Sequence, residues 1–193
     1  MLDLVIFGAS AFMAQVLTNL DNVTALVALM MVSGPRRTVL GFLLAQILVI
    51  LAAFVVALGV DDVVPHWAGY LGVIPLSLGL IGVYRHFRRS PDHGERKLPP
   101  KASVVVTVML FFSLSMDTFA VLAPLLADST PQYRAAGIVG AVSAALGLTA
   151  VGLLSARTPI MTGGLARRLE TLVPYVMICA GLYILSNSWT DAI

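Results

Sequence analysis

Six stretches of this chain are apolar for about twenty residues or more, at positions 4–32, 38–60, 68–87, 102–127, 135–156 and 169–188. A helix that crosses a bilayer needs roughly 20 mostly apolar residues, because hydrocarbon offers the backbone no other hydrogen-bonding partners. With 59% of 193 residues hydrophobic and only 11% charged, the chain departs strongly from a soluble composition. Continuous apolar runs also lack the alternation of an outer-membrane barrel strand. The expected fold class is an all-α membrane protein with six transmembrane helices and no separate soluble domain. The opening residues MLDLVIFG carry an acid where a signal peptide has basic residues, so a cleaved signal is not expected.

Charge is informative through its distribution. Arg36 and Arg37 follow the first run, Arg85, Arg88, Arg89, Arg96, Lys97 and Lys101 flank the third loop, and Arg157, Arg167 and Arg168 border the fifth. Asp61 and Asp62 lie in the second loop, Asp128 with Arg134 in the fourth, and Asp191 near the C-terminus. Basic residues on alternate loops make those loops cytoplasmic and put both termini outside. These are topology signals, and no nucleic-acid partner is expected. Cys179 is the single cysteine, which excludes an intramolecular disulfide and CxxC dithiol chemistry.

The chain repeats itself at half its length. TNLDNVTALVALM, beginning at Thr18, is echoed by SLSMDTFAVLAPL at 113–125, so that Asp21 matches Asp117 and Asn22 matches Thr118. Gly41 matches Gly137 at the same offset, and Pro75, Gly82 and Tyr84 recur as Pro174, Gly181 and Tyr183. Three helices per half is an odd number, so the second half enters the membrane from the opposite side. The expected organisation is a 3+3 inverted-topology repeat: residues 1–87, a charged cytoplasmic linker at 88–101, and residues 102–193. In and just before the linker, His86, Asp92, His93 and Glu95 match no metal-ligand spacing and read as a solvated loop.

Two carboxylates lie deep within the apolar runs. Counted from the segment ends, Asp21 and Asp117 are each roughly 16–18 Å from a membrane face, and they approach the midplane from opposite sides. A carboxylate there costs about 2.5–3.5 kcal/mol on insertion scales, which asks for a function. Thr18, Asn19, Asn22 and Thr24 accompany Asp21, and Ser113, Ser115 and Thr118 accompany Asp117. Pro124 cannot donate to the carbonyl of Ala120, so the fourth helix is expected to loosen about one turn after Asp117 and free that oxygen. Paired carboxylates with neutral oxygens suit a divalent cation. The candidate ligands are Asp21, Asp117, Asn19, Asn22, Ser115 and Thr118, with Thr18, Thr24, Gln46 and the Ala120 carbonyl as further oxygens. Two other readings stay open at this point: protonated aspartates that cap helix breaks, and a proton relay for a small organic solute such as an amino acid. No Arg or Lys is expected within the membrane itself, Arg85 standing at the end of the third run, which counts against an amino-acid carboxylate. Met30, Met31, Met116, Met177 and Cys179 offer soft sulfur but read as packing residues. Gly137, Ala141 and Ala145 form a small-residue stripe suited to a close helix contact.

At TNLDN (18–22), GFLLAQ (41–46), YLGVIPLSLG (70–79) and SMDTFAVLAPL (115–125) the chain resembles the cadmium-resistance transporter family of the lysine-exporter superfamily. Asp21 and Asp117 match that family's acidic positions. Asn22 stands where the family's first motif has its second aspartate, and Met116 and Thr118 flank Asp117 where the family has a Gly-Asp-Asn. The resemblance implies an exporter of divalent metal, cadmium-like or manganese-like, in the inner (cytoplasmic) membrane and driven by protons. It implies no enzyme activity and no cofactor. Expected partners are the metal, protons and the bilayer, and a homo-oligomer is compatible with such a chain.

Overall fold

The structure, a computed structural model, describes residues 1–63, 70–88, 102–156 and 173–190. Eight helices and no strand occur among them: α1 (Leu2–Thr18), α2 (Leu20–Ser33), α3 (Pro35–Val63), α4 (Val73–Arg88), α5 (Val104–Leu114), α6 (Met116–Ala127), α7 (Pro131–Ser155) and α8 (Val173–Thr190). Helices α3 and α7 are each long and apolar enough to cross a membrane. The pairs α1–α2 and α5–α6 pass the same test jointly, but bend by 54° and 62° at one-residue breaks. Two to four membrane spans are therefore available among the described residues, compatible with a membrane protein.

The first and fourth apolar runs, expected as continuous helices, are each broken. Asn19 (φ −114°, ψ 13°) and Ser115 (φ −93°, ψ 18°) both adopt the bridge region, where the helical hydrogen-bond ladder lapses. Asparagine and serine side chains compete with the backbone for hydrogen bonds, which makes such a break affordable. The expected loosening after Asp117 is not where the chain bends. The break precedes Asp117, and α6 runs on through Pro124 to Ala127.

Turn chemistry sets the other boundaries. Gly34 at φ 87° takes the left-handed region that disfavours a side chain, and Pro35 then starts α3. Ser103 caps α5 by accepting from the Val106 N–H at 3.3 Å. Arg134, read from sequence as a loop charge, lies inside the first turn of α7 and is 4% exposed. Its Nε donates to the Leu126 carbonyl at 2.8 Å, so the guanidinium closes the C-terminal end of α6 where carbonyls lack helical partners.

Packing crosses between the two broken helices. The α1–α2 pair lies against α7, and the α5–α6 pair lies against α3, while α4 packs on α8. Small residues permit each approach. A Cβ on Gly140 would fall on the Gly8 carbonyl oxygen, one on Gly41 would stand 2.6 Å from the Thr107 Cβ, and one on Gly181 would stand 2.6 Å from the Leu76 backbone nitrogen. The stripe Gly137, Ala141 and Ala145 is buried, and Gly137 faces the Phe7 ring of α1. Edge-on ring pairs Phe7–Tyr133 and Phe42–Phe111 extend the same contacts. On the outer surface α3 exposes Leu40, Leu44, Ile47, Leu51 and Val55, the apolar face of a helix suited to hydrocarbon.

The charged linker lies largely outside the described residues, which omit 89–101 and with them Asp92, His93 and Glu95; Arg157, Arg167 and Arg168 are likewise outside.

Candidate functional site

The two breaks face each other at the centre of the molecule. Gln15, Thr18, Asn19, Asn22, Gln46, Ser115 and Thr118 are all buried there, drawn from α1, α2, α3, α6 and the break residues. Asn19 Nδ2 donates to Thr118 Oγ1 at 2.6 Å, and Asn22 Nδ2 donates to Ser115 Oγ at 3.1 Å. Asn19 and Ser115 occupy the same point of their respective breaks, and Asn22 and Thr118 each lie three residues further on. The two contacts therefore exchange when the broken helices are exchanged. Thr18 Oγ1 stands 2.8 Å from Thr118 Oγ1 and 2.8 Å from the Ala14 carbonyl, tying α1 to α6 directly.

Asn19 is the hub. Its Oδ1 accepts from Asn22 Nδ2 at 2.7 Å, Gln46 Nε2 at 2.8 Å and the Ser115 hydroxyl at 3.2 Å. One backbone carbonyl sets the orientation of the connected amides. The Gln15 carbonyl can only accept, so the Asn19 atom 2.9 Å away is Nδ2, and Oδ1 must face Gln46. Gln46 then presents Nε2 to Asn19 and turns Oε1 toward Gln15, whose Nε2 donates to it at 2.6 Å. The chain of amides thus ends on Gln15 Oε1 at one side and Asn22 Oδ1 at the other. These two buried oxygens receive no hydrogen bond from the described residues. Flipping either amide would set oxygen against oxygen, so the shortage of donors belongs to the network.

Of the residues expected at the site, the structure brings Thr18, Asn19, Asn22, Gln46, Ser115 and Thr118 into one network. Asp21 and Asp117 stand beside it, each in the first turn of the half-helix that follows a break. Asp21 is half-buried and its Oδ1 accepts from the Asn22 N–H at 2.9 Å, while Asp117 is exposed. A carboxylate in a first turn meets the positive end of the helix macrodipole, which offsets part of its cost in an apolar setting. Thr24 is exposed on α2, and Ala120 is buried on α6, one turn beyond Asp117. Among the soft donors, Met30 and Met177 are buried, and Met31, Met116 and Cys179 are exposed. No group of three or more His, Cys, Asp or Glu side chains gathers among the described residues. Any cation held here would therefore rely mainly on amide, hydroxyl and carbonyl oxygens.

Gln15 was not legible as a site residue. It reads as a lone amide in an apolar helix, and its partner Gln46 is 31 positions away. None of the network's residues lines either of two surface cavities. One, of about 520 Å³, is lined by Met30, Pro35, Arg36 and Leu153, and the other, of about 380 Å³, by Asp3, Asp128, Tyr133 and Tyr183. No family model, curated protein or solved structure matches this chain.

Proposed function

We propose that this chain is a secondary transporter that exports a divalent metal cation across the cytoplasmic membrane. In this reading six helices form a 3+3 inverted repeat with both termini outside, and movement of protons drives export. One observation carries it. Two broken apolar helices meet at their breaks through buried, exchangeable hydrogen bonds, and an aspartate follows each break by two residues. Discontinuous helices with polar breaks are how transporters build ion sites within apolar surroundings, because the unwound segment exposes backbone dipoles and side-chain oxygens. Two carboxylates match the charge of a divalent ion, which a low-dielectric setting would otherwise strongly oppose. Asp21 is half-buried and Asp117 exposed, and each lies next to a buried member of the neutral network, Asn22 and Thr118. Rocking one half against the other would part the Asn19–Thr118 and Asn22–Ser115 contacts and offer their oxygens to the ion.

Heat protection of the purified protein by metal tests the reading. A ligand that binds only the folded state, at 100 times its dissociation constant, adds about 2.7 kcal/mol. Cadmium, manganese and zinc should be compared with magnesium and with a metal-free chelated control. A rise in Tm with one of the transition ions is expected. Indifference to every divalent ion, together with a response to organic solutes, would move the assignment to a proton-coupled exporter of such a solute.

Orientation has its own test. In a Cys179→Ala background, single cysteines at Asp62 and Ser129 should react in intact cells with an impermeant thiol reagent, and one at Ser90 should not. Labelling at Ser90 from outside would invert the topology.

A further inference from the structure

We propose that Gln15 Oε1 is a ligand for a small monovalent cation of the sodium type, at a locus separate from the aspartates. The proposal goes beyond the divalent reading, and binding at this locus does not depend on it. Gln15 is 0% exposed, and its Oε1 is held away from Gln46 by the sequence of amide orientations that begins at its own backbone carbonyl. A buried acceptor left without a donor is costly, and an apolar side chain would remove that cost.

The fold does not need the amide. Phe111 holds the position 96 residues later, matching the spacing between Asn19 and Ser115, and the α5–α6 pair still bends by 62° at Ser115. The same offset from Gln46 reaches Val142, which is exposed on α7. The Gln15–Gln46 pair is thus an addition to one broken helix that the other dispenses with while making the same break. A helix break explains Asn19 and Ser115, but it does not explain a buried glutamine whose oxygen is kept free of donors.

The surroundings select the ligand. Gln15 lies in the last turn of α1, where the macrodipole is negative and carbonyls lack helical donors. Gln15, Gln46, Asn19, Asn22, Ser115, Thr18 and Thr118, whose side chains hydrogen-bond to one another, are all neutral. Neutral oxygens at the C-terminal end of a half-helix suit a monovalent ion, whose single charge asks for less compensation than a divalent one. Gln46 and Asn19 act as positioning residues, since they decide which atom Gln15 turns outward.

The test uses the full chain in lipid nanodiscs, with Tm recorded in sodium, potassium or N-methyl-D-glucamine chloride at equal ionic strength. Sodium should raise the wild-type Tm saturably over N-methyl-D-glucamine, by roughly 2–5 °C at saturation. Gln15→Met should lose that increment, while Asp21→Asn with Asp117→Asn should keep it. Should Gln15→Met fail to fold, Gln15→Glu serves instead, and its sodium midpoint should move to lower concentration as pH rises. A wild type indifferent to sodium and potassium would assign the oxygen to water and overturn the proposal. An equal sodium increment in Gln15→Met, or an unmoved midpoint in Gln15→Glu, would overturn it too. A wild type stabilised by sodium but by no divalent metal would sink the divalent reading and leave this one standing.

Discussion

Asparagine at either Asp21 or Asp117 is expected to reduce metal transport to below about one per cent of wild type at matched membrane abundance. If the ion lies between the two broken helices, each carboxylate offsets one of its charges, and removing one leaves an uncompensated charge. Breaking such a pair costs about 3–5 kcal/mol, which is about 10²–10³-fold in affinity or more. Because both carboxylates act on the same ion, the double variant should be no worse than either single one. Folding should survive. Each aspartate lies in the first turn of a half-helix, and losing its interaction with the macrodipole costs only about 0.3–1 kcal/mol. Transport by proteoliposomes and metal resistance of cells are the two measurements. If the aspartates merely cap the breaks in protonated form, an isosteric amide would leave transport nearly intact. Near-normal resistance in either single variant would therefore end the two-carboxylate hypothesis.

Asn19→Leu should produce the largest loss of stability of any single substitution in the network. Asn19 Oδ1 accepts from Asn22, Gln46 and Ser115, and its Nδ2 donates to the Gln15 carbonyl and to Thr118. Leucine fills similar space but removes those five hydrogen bonds, at about 0.5–1.5 kcal/mol each. Asn22 and Gln46 would keep Ser115 Oγ, and Thr118 would keep Thr18, while the Gln15 carbonyl would retain only the 3.5 Å contact from Thr18 Oγ1. A total of about 3–5 kcal/mol is expected, near the upper end for point substitutions. Ser115→Ala offers the contrast. Asn22 Nδ2 and Gln46 Nε2 would each keep Asn19 Oδ1, so the loss should be about 1 kcal/mol. Thermal unfolding of the purified variants checks the order. Equal losses would mean that the network is not organised around Asn19.

The apolar runs, with oxygens and carboxylates set within them, were sufficient for an all-helical chain and for its central polar residues. Hydrocarbon leaves the backbone few options, so helix follows from composition, and a polar side chain inside such a run must find partners. Asn19, Asn22, Ser115, Thr118 and Gln46 could be grouped on those grounds before any contact was known. The buried small-residue stripe was legible for the same reason, since close helix approach requires missing side chains.

Tertiary structure decided what depends on partners distant in the chain. Periodicity cannot locate the breaks at Asn19 and Ser115, because the side chains that satisfy them come from 27 to 99 positions away. Pro124 pointed to a weakness after Asp117, yet α6 keeps its helical path there and the bend comes earlier. Local spacing likewise says nothing of exposure, and so could not separate the half-buried Asp21 from the exposed Asp117 or find Arg134 folded onto the end of α6. Gln15 is the sharpest case. Its identity is plain in the sequence, but its meaning lies in which of its two amide atoms is left without a partner. That depends on a chain of hydrogen bonds running through α3 and the first break, and only the packed helices complete it.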